Sequence, residues 1–313
     1  MVKLSAIKAI VIDDIHPDGV SLLQEHFQVT KLPALTTEEL AEKIEPYHVL
    51  MTRISAFIGE KVLSRAANLK VIASATTDLG HIDLDICREK QITVVNAPGG
   101  NASSIAELTI GRMIDLARCV PQANHDVKLG FWDRAKYTGR ELAGKKLGIV
   151  GLGKVAQRVA EIASCLQMEI LAYDPYIAES VAKRLNILLL PLNELLKESD
   201  IITVHIPLTA ETKNLIAEAQ FAKMKQGAIL LNMGRGGVVN EAALYHALKS
   251  GKLAGAGADV MSEEPCLASP LYELENFIVT PHLGGQTPEA LRRMALITAT
   301  KAVEALAIYS VDK

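Results

Sequence analysis

Short runs rich in Ile, Val and Leu alternate with longer helical patterns along almost the whole of this 313-residue chain. That rhythm predicts βαβ units, and such units require a parallel sheet whose strands are joined by crossover helices. The first series of predicted strands is Ile7–Ile12, Gln28–Lys31, Val49–Thr52, Lys70–Ala73 and Ile92–Val95. The second is Lys146–Val150, Ile170–Tyr173, Ile187–Leu190, Ile201–Val204, Ala228–Leu231, Gly255–Ala258 and Phe277–Val279. Two series, in a chain long enough for two cores, predict two doubly wound α/β domains. Between them a long helix is expected to begin near Ser103 or Ser104. Ser104 and Glu107 fit a capping box, with Ile105, Leu108 and Leu116 on one face. A polar segment, "KLGFWDRAKYTGRELAGKK", follows and holds the only tryptophan, Trp132. The last stretch, rich in Ala and Leu, reads as a helix that returns to the first domain.

Composition removes several classes of function. The formal net charge is -3 and no basic block is present, so nucleic acid is not an expected partner. Cys87, Cys119, Cys165 and Cys266 are scattered and form no CxxC pair. A reduced, cytoplasmic compartment is expected, and no metal site. The N-terminus is charged too early for a signal peptide, and no apolar run reaches the ~18 residues of a membrane span.

The stretch "KKLGIVGLGKVAQRVA" is a strand entering a helix through Gly151-Leu-Gly153-Lys154-Val155-Ala156, a GxGxxA turn. The first glycine permits the tight turn. The second lets the backbone approach a pyrophosphate, and the small third residue lets helix pack on strand. The helix N-terminus then offers N–H groups and a positive dipole end to phosphates. A glycine turn that merely packs a helix on a sheet is the competing reading. Asp174 ends the next predicted strand, where a dinucleotide fold places the carboxylate that bonds the adenine-ribose hydroxyls. The same carboxylate would repel a 2′-phosphate, so NAD is expected rather than NADP. A turn residue before Pro175 is the alternative.

Open parallel sheets bind ligands beyond the carboxyl ends of their strands. The second series delivers Gly151, Asp174, His205 with Pro207, Met233-Gly234-Arg235, Asp259 and His282 to those ends. The first delivers Asp13, Arg53, the Ser74–Asp78 loop and Asn96. Arg235, between glycines in "NMGRGG", has a charged fork suited to a carboxylate, and a structural ion pair is its competing role. His282, in "TPHLGG", sits on a glycine-flanked turn. A carboxylate such as Glu264 beside an imidazole favours the protonated ring and fixes its tautomer. That combination suits the proton transfer of alcohol-to-ketone chemistry. A turn histidine bonded to backbone and a solvated glutamate in "SEEP" remain the alternatives.

The motifs "VGLGKVAQRVA", "YDP", "ITVHIPLTAETKNLI", "LNMGRGGVVNEAAL", "GAGADVMSEEP" and "TPHLGG" together resemble the D-2-hydroxyacid dehydrogenases. Within that family the chain is most similar to the D-3-phosphoglycerate dehydrogenase branch. "AELTIGRMIDLAR" and "GFWDRAKYTGREL" are similar to that branch too. The resemblance implies a Rossmann NAD-binding domain inserted in a flavodoxin-like substrate domain. Residues 1–100 with 283–313 would form the substrate lid, 101–282 would bind NAD and make the dimer, and the cleft would close on substrate. It implies a catalytic trio of Arg235, Glu264 and His282. It implies cofactor contacts at Thr77, Gly151, Gly153, Lys154, Val155, Asp174, His205, Ile206, Pro207, Met233, Gly234, Arg235, Asp259, His282, Leu283, Gly284 and Gly285. Asp259 would bond the carboxamide or stabilise its loop. Substrate contacts would fall on Arg53, Thr76, Thr77, Arg235 and His282. A surface arginine is the competing reading of Arg53. Arg134 and Lys136 are candidates to reach a partner subunit's site.

The loop "SATTDLGH", Ser74 to His81, departs from the family pattern "RAGTGVDN". Ser74 replaces an arginine and Asp78 a glycine, and that carboxylate either repels an anionic substrate or faces away. The appended regulatory domain of longer relatives is not expected here. The implied activity is NAD-dependent interconversion of a small D-2-hydroxy acid and its 2-oxo acid by a homodimer or tetramer. 3-Phosphoglycerate, the entry to serine biosynthesis, is the first substrate expected. Glycerate or hydroxypyruvate, lactate, sulfolactate and erythronate-4-phosphate are alternatives, and a non-catalytic NAD-sensing corepressor is a rival of another class.

Overall fold

The computed structural model describes residues 7–309. Residues 1–6 and 310–313, the two ends of the expected substrate lid, lie outside the described residues. The chain divides into two compact units. One takes the residues up to Asn101 together with those from Gln286 onward, and the other takes Ala102–Gly285.

The first unit is a parallel sheet of β1 (Lys8–Val11), β2 (Gln28–Lys31), β3 (Val49–Thr52), β4 (Val71–Ser74) and β5 (Thr93–Asn96), in the order β2-β1-β3-β4-β5. That is the flavodoxin-like order, with its switch point between β1 and β3. Strand residues alternate between two cores because successive Cβ atoms point to opposite faces. Ile10, Leu50 and Ile72 face the helices Thr37–Lys43 and Glu60–Leu63 on one side. Ala9, Val11, Val49, Met51, Val71 and Ala73 face the other side, where Ala295, Ala299, Ala302 and Leu306 pack. Those four lie on the helix Pro288–Tyr309, which packs against β4, β5 and the helix Pro17–Gln24. The expected return of the last helix to the first sheet is what the chain does.

The second unit holds β6 (Lys146–Val150), β7 (Glu169–Tyr173), β8 (Leu188–Leu189), β9 (Ile201–Val204), β10 (Ala228–Asn232), β11 (Leu253–Ala258) and β12 (Phe277–Val279). All pair in parallel, in the order β12-β11-β10-β9-β6-β7-β8. The order reverses beside β6, so the switch point of this Rossmann-type sheet lies at the glycine turn. Both faces are covered. Val150, Ile202, Val204 and Leu230 look one way, and Leu147, Ile149, Ile201 and Leu231 look the other.

One expectation needs correction. The helix runs Ala102–Arg118, so Ser104 lies inside it and no capping box forms there. Its hydroxyl instead donates to Gly284 O at 2.6 Å. Ile105, Leu108 and Leu116 do pack on one core. The second unit runs on through Gly285. The physical reason is that the backbone of Leu283 and Gly284 is tied to Asp259 and Ser104, both inside the second unit. Among the described residues, no helix is long and apolar enough to cross a membrane.

Candidate active site

At the carboxyl edge of the second sheet the ladder continues past the strands. Gly151 N donates to Tyr173 O, His205 N to Val150 O, Met233 N to Val204 O, Asp259 N to Asn232 O and Thr280 N to Ala258 O, all at 2.8–3.1 Å. Five loops are thereby pinned in one row before any of their side chains act.

The glycine turn opens the row. Gly151 has φ +86°, and a Cβ there would lie 2.3 Å from Ile206 Cγ2. Glycine alone satisfies both demands. Gly153 caps the helix Lys154–Cys165 without a side-chain hydrogen bond, and nothing stands within 4 Å of where its Cβ would be. The space and the first-turn N–H groups suit a pyrophosphate. Asp174 accepts from Leu152 N at 2.8 Å and Tyr176 N at 2.9 Å, so its carboxylate is fixed beside the turn. Two oxygens that each carry one bond retain lone pairs for ribose hydroxyls. These residues fit a dinucleotide.

Gly234 lies against the segment after β9, where its Cβ would meet Ile206 O at 2.7 Å and Ile206 N at 2.9 Å. His205 and Ile206 therefore run between two glycine turns, and Pro207 continues outward, exposed. His205 Nε2 pairs with Thr203 Oγ1 at 2.9 Å, while its buried Nδ1 has no partner. Burial pushes this imidazole down to about 3, so it is neutral at physiological pH.

Arg235 follows on the loop after β10. Its Nη1 donates to Gly234 O at 2.8 Å, and Asn232 braces the loop by donating from Nδ2 to Arg235 O at 3.1 Å. Glu264 lies on the segment after β11. One of its carboxylate oxygens accepts from Met261 N at 3.1 Å, and the other stands 2.8 Å from His282 Nδ1. With Nδ1–H donating to the carboxylate, Nε2 is left to exchange a proton with a ligand. The pair is about half exposed, with side-chain exposures of 39% for Glu264 and 48% for His282, so a ligand can reach it.

His282 has φ +54°. A left-handed residue other than glycine costs roughly 1–2 kcal/mol. Buried Asp259 holds it there by accepting from Thr280 Oγ1 at 2.6 Å, Leu283 N at 2.7 Å and Gly284 N at 2.7 Å. These three bonds support the loop-holding role expected for Asp259, and Oδ2, with a single bond, keeps lone pairs for a ligand. Leu283 is 41% exposed, Gly284 is buried and Gly285 half-buried. Arg235, Glu264 and His282 thus share the ends of three neighbouring strands, with β10 and β12 two strand spacings, or about 10 Å, apart.

The expected substrate residues Arg53, Thr76 and Thr77 belong to the first unit. Asp13 Oδ2 accepts from Arg53 N at 2.6 Å and Thr52 Oγ1 at 2.9 Å, and Arg53 Nε is buried without a partner. Thr76 Oγ1 donates to Asp78 O. That leaves Ser74 Oγ to donate to Thr76 at 2.7 Å and to accept from His81 Nε2 at 3.1 Å. Burial pushes the His81 imidazole down, against the pull of Asp78 and Asp13. Asp78 Oδ1 accepts from Gly80 N at 2.7 Å, so the carboxylate is turned back onto its own loop. Thr77 O accepts from Asn96 Nδ2 at 3.0 Å. Of the two basic residues after Trp132, Lys136 is bonded to Asp126 at 2.8 Å, which pushes its ammonium up, and Arg134 is exposed.

Sequence reasoning missed Asn232, Thr280 and the role of Ser104. A signal existed for the first two: each is a polar residue closing an apolar strand, "AILLN" and "FIVT".

Comparison with known proteins agrees with the geometry. The pattern described as "D-isomer specific 2-hydroxyacid dehydrogenase, NAD binding domain" matches residues 110–284. A D-3-phosphoglycerate dehydrogenase of Methanocaldococcus jannaschii is 44% identical over 94% of this chain and 56% of its own length. One from Rattus norvegicus is 40% identical over 91% of this chain and 54% of its own. The chain therefore spans about half the length of these relatives. Among solved structures, the TT0316 protein of Thermus thermophilus is 33% identical with a TM-score of 0.88, covering 96% of this chain and 97% of that one. D-lactate dehydrogenase from Aquifex aeolicus, complexed with NAD and lactic acid, is 29% identical with a TM-score of 0.82, covering 97% and 96%. A glycine turn backed by Asp174, in the domain that this pattern describes, makes the cofactor NAD, and the chain belongs to the D-isomer specific 2-hydroxyacid dehydrogenases.

Proposed function

We propose that the chain interconverts a small D-2-hydroxy acid and its 2-oxo acid with NAD, and that 3-phosphoglycerate is its substrate. The observation that carries the reaction class is the 2.8 Å contact between His282 Nδ1 and Glu264, on the strand edge that also holds Arg235. Gly151, Gly153 and the first turn after them hold the pyrophosphate, and Asp174 the ribose. NAD, when bound, supplies the hydride acceptor. His282 Nε2 takes the hydroxyl proton, Glu264 keeps Nδ1 protonated and steadies the charged ring, and Arg235 binds the carboxylate and the forming carbonyl oxygen. The first unit serves as the substrate domain.

For the substrate, two observations favour a phosphorylated acid. The relatives over 90% of this chain are named D-3-phosphoglycerate dehydrogenase. Arg53, with its buried unpartnered Nε, suits an anion. Lactate is the second reading, favoured by Ser74 where the family pattern has an arginine. A homodimer is proposed on the run of exposed apolar side chains Val127, Leu129, Phe131 and Trp132, the last 81% exposed. The free cysteines suit a reduced cytoplasm, and oxidation of 3-phosphoglycerate would place the enzyme in serine biosynthesis.

The test is NAD reduction measured against phosphorylated and unphosphorylated 2-hydroxy acids. Turnover of 3-phosphoglycerate well above glycerate, lactate and sulfolactate is expected. The reverse ranking removes the substrate and keeps the reaction; no turnover of any acid removes both. Light scattering should give twice the chain mass, falling to one chain when Phe131 and Trp132 become Asp.

A further inference from the structure

The segment that carries Glu264 has no regular structure of its own. It leaves β11 at Ala258, and its position depends on what it is tied to. Two ties are already in view: Asp259 N–H to Asn232 O, and Met261 N–H to Glu264 itself. A third is steric. A Cβ on Gly236 would stand 1.8 Å from Met261 O and 2.6 Å from Ser262 N, so glycine is what lets the Arg235 loop lie against the Glu264 loop. The fourth tie is a carboxylate that the reaction does not use. Glu241 opens the helix Glu241–Lys249, and its Oε1 accepts from Ser262 N at 2.7 Å. That helix is already capped, since Asn240 Oδ1 accepts from Ala243 N at 2.9 Å. The Glu241 side chain reaches out to the neighbouring loop, two residues before Glu264.

We propose that Glu241 is a positioning residue for the Glu264–His282 pair. It holds Ser262 so that Glu264 presents one oxygen to Met261 N and the other to His282 Nδ1. The proposal rests on the reading of that pair as the proton-transfer group, and names the residue that sets its geometry. Without the carboxylate, the Glu264 loop keeps its contact at Gly236 and loses the tie at Ser262. The imidazole can then turn and exchange tautomers, so that Nε2 is no longer the nitrogen left to take the proton.

The test compares E241A, E241M and E241Q in the full chain. Methionine keeps the length without the acceptor, and serves if the alanine variant folds poorly. Glutamine keeps an acceptor oxygen at the same reach. The readouts are kcat and KM for the hydroxy acid, the pH profile of kcat/KM, NADH affinity, Tm, and the ring 15N signals of His282 in histidine-labelled protein, assigned with H282N. E241A and E241M should lower kcat about tenfold or more, alter the pH profile, and broaden or shift the His282 Nδ1–H signal. NADH affinity and Tm should stay near those of the parent, and E241Q should restore most of kcat and the signal. An unchanged kcat, pH profile and His282 signal in E241M overturns the proposal. So does a loss that E241Q fails to rescue while the His282 signal is intact. The 15N signal separates the two levels of inference. If the parent turns over no 2-hydroxy acid but its His282 signal still depends on Glu241, the proposed function fails and the positioning role stands.

Discussion

Two histidines leave the same sheet at its carboxyl edge, His205 after β9 and His282 after β12, and their surroundings make them different chemical groups. His205 runs between two glycine turns, bonds Thr203, and is driven to a neutral ring by burial. It cannot carry a proton near neutral pH. His282 stands half in solvent, held in a left-handed turn by Asp259 and paired at Nδ1 with Glu264. Residue type and strand-end location are shared. Solvation and one carboxylate separate a buried spacer from an exposed, carboxylate-paired imidazole.

The comparison is broken most directly by H282N. Under the proposed role of His282, this variant should lower turnover about 10²–10⁴-fold and leave NADH binding close to that of the parent. Wild-type turnover in H282N would show that the two histidines do not differ as described. The Asp259 carboxylate is the next lever. D259A orphans Leu283 N and Gly284 N, each costing on the order of 1–3 kcal/mol, so both Tm and turnover should fall. An intact Tm would mean that the turn holds His282 without help. G151A asks whether the His205 segment needs the glycine on its other side. A left-handed alanine, about 1–2 kcal/mol, adds to the clash with Ile206, and NADH affinity should drop roughly tenfold or more.

The effect that is smallest at neutral pH emerges only in acid. The folded His205 sits near 3 and the unfolded ring near its usual 6.5, so the unfolded chain takes up the proton first as pH falls. Its contribution to stability is complete above pH 6.5 and is lost progressively toward pH 3. H205Q should therefore flatten the fall in Tm across that window, as calorimetry would show, and leave the pH profile of turnover unchanged. A Tm fall in H205Q as steep as in the parent would contradict a buried neutral ring.

Much of the fold was legible in the sequence. Buried parallel strands are apolar along their whole length, and all twelve expected runs form strands to within two residues at either end. The glycine turn and Asp174 were legible because their spacing along the chain is itself the signal. Ser104 shows where local reasoning stops. A serine three residues before a glutamate at a helix start reads as a cap, yet it serves a carbonyl 180 residues away. Asp259 shows the same limit. Its type and place suggested a carboxamide contact or a loop support, and only the return of residues 280–284 beside β11 reveals the three donors that tie it to that loop.

The sequence by itself determined the two strand series, the residues at their carboxyl ends and the candidates Arg235, Glu264 and His282, because periodicity and glycine placement are local properties of a chain. Tertiary structure alone decided which histidine is neutral, which oxygen of Glu264 faces the ring, and what keeps that oxygen there. Those outcomes depend on solvation and on contacts between segments far apart in sequence, such as Glu241 with Ser262, and no spacing rule encodes them.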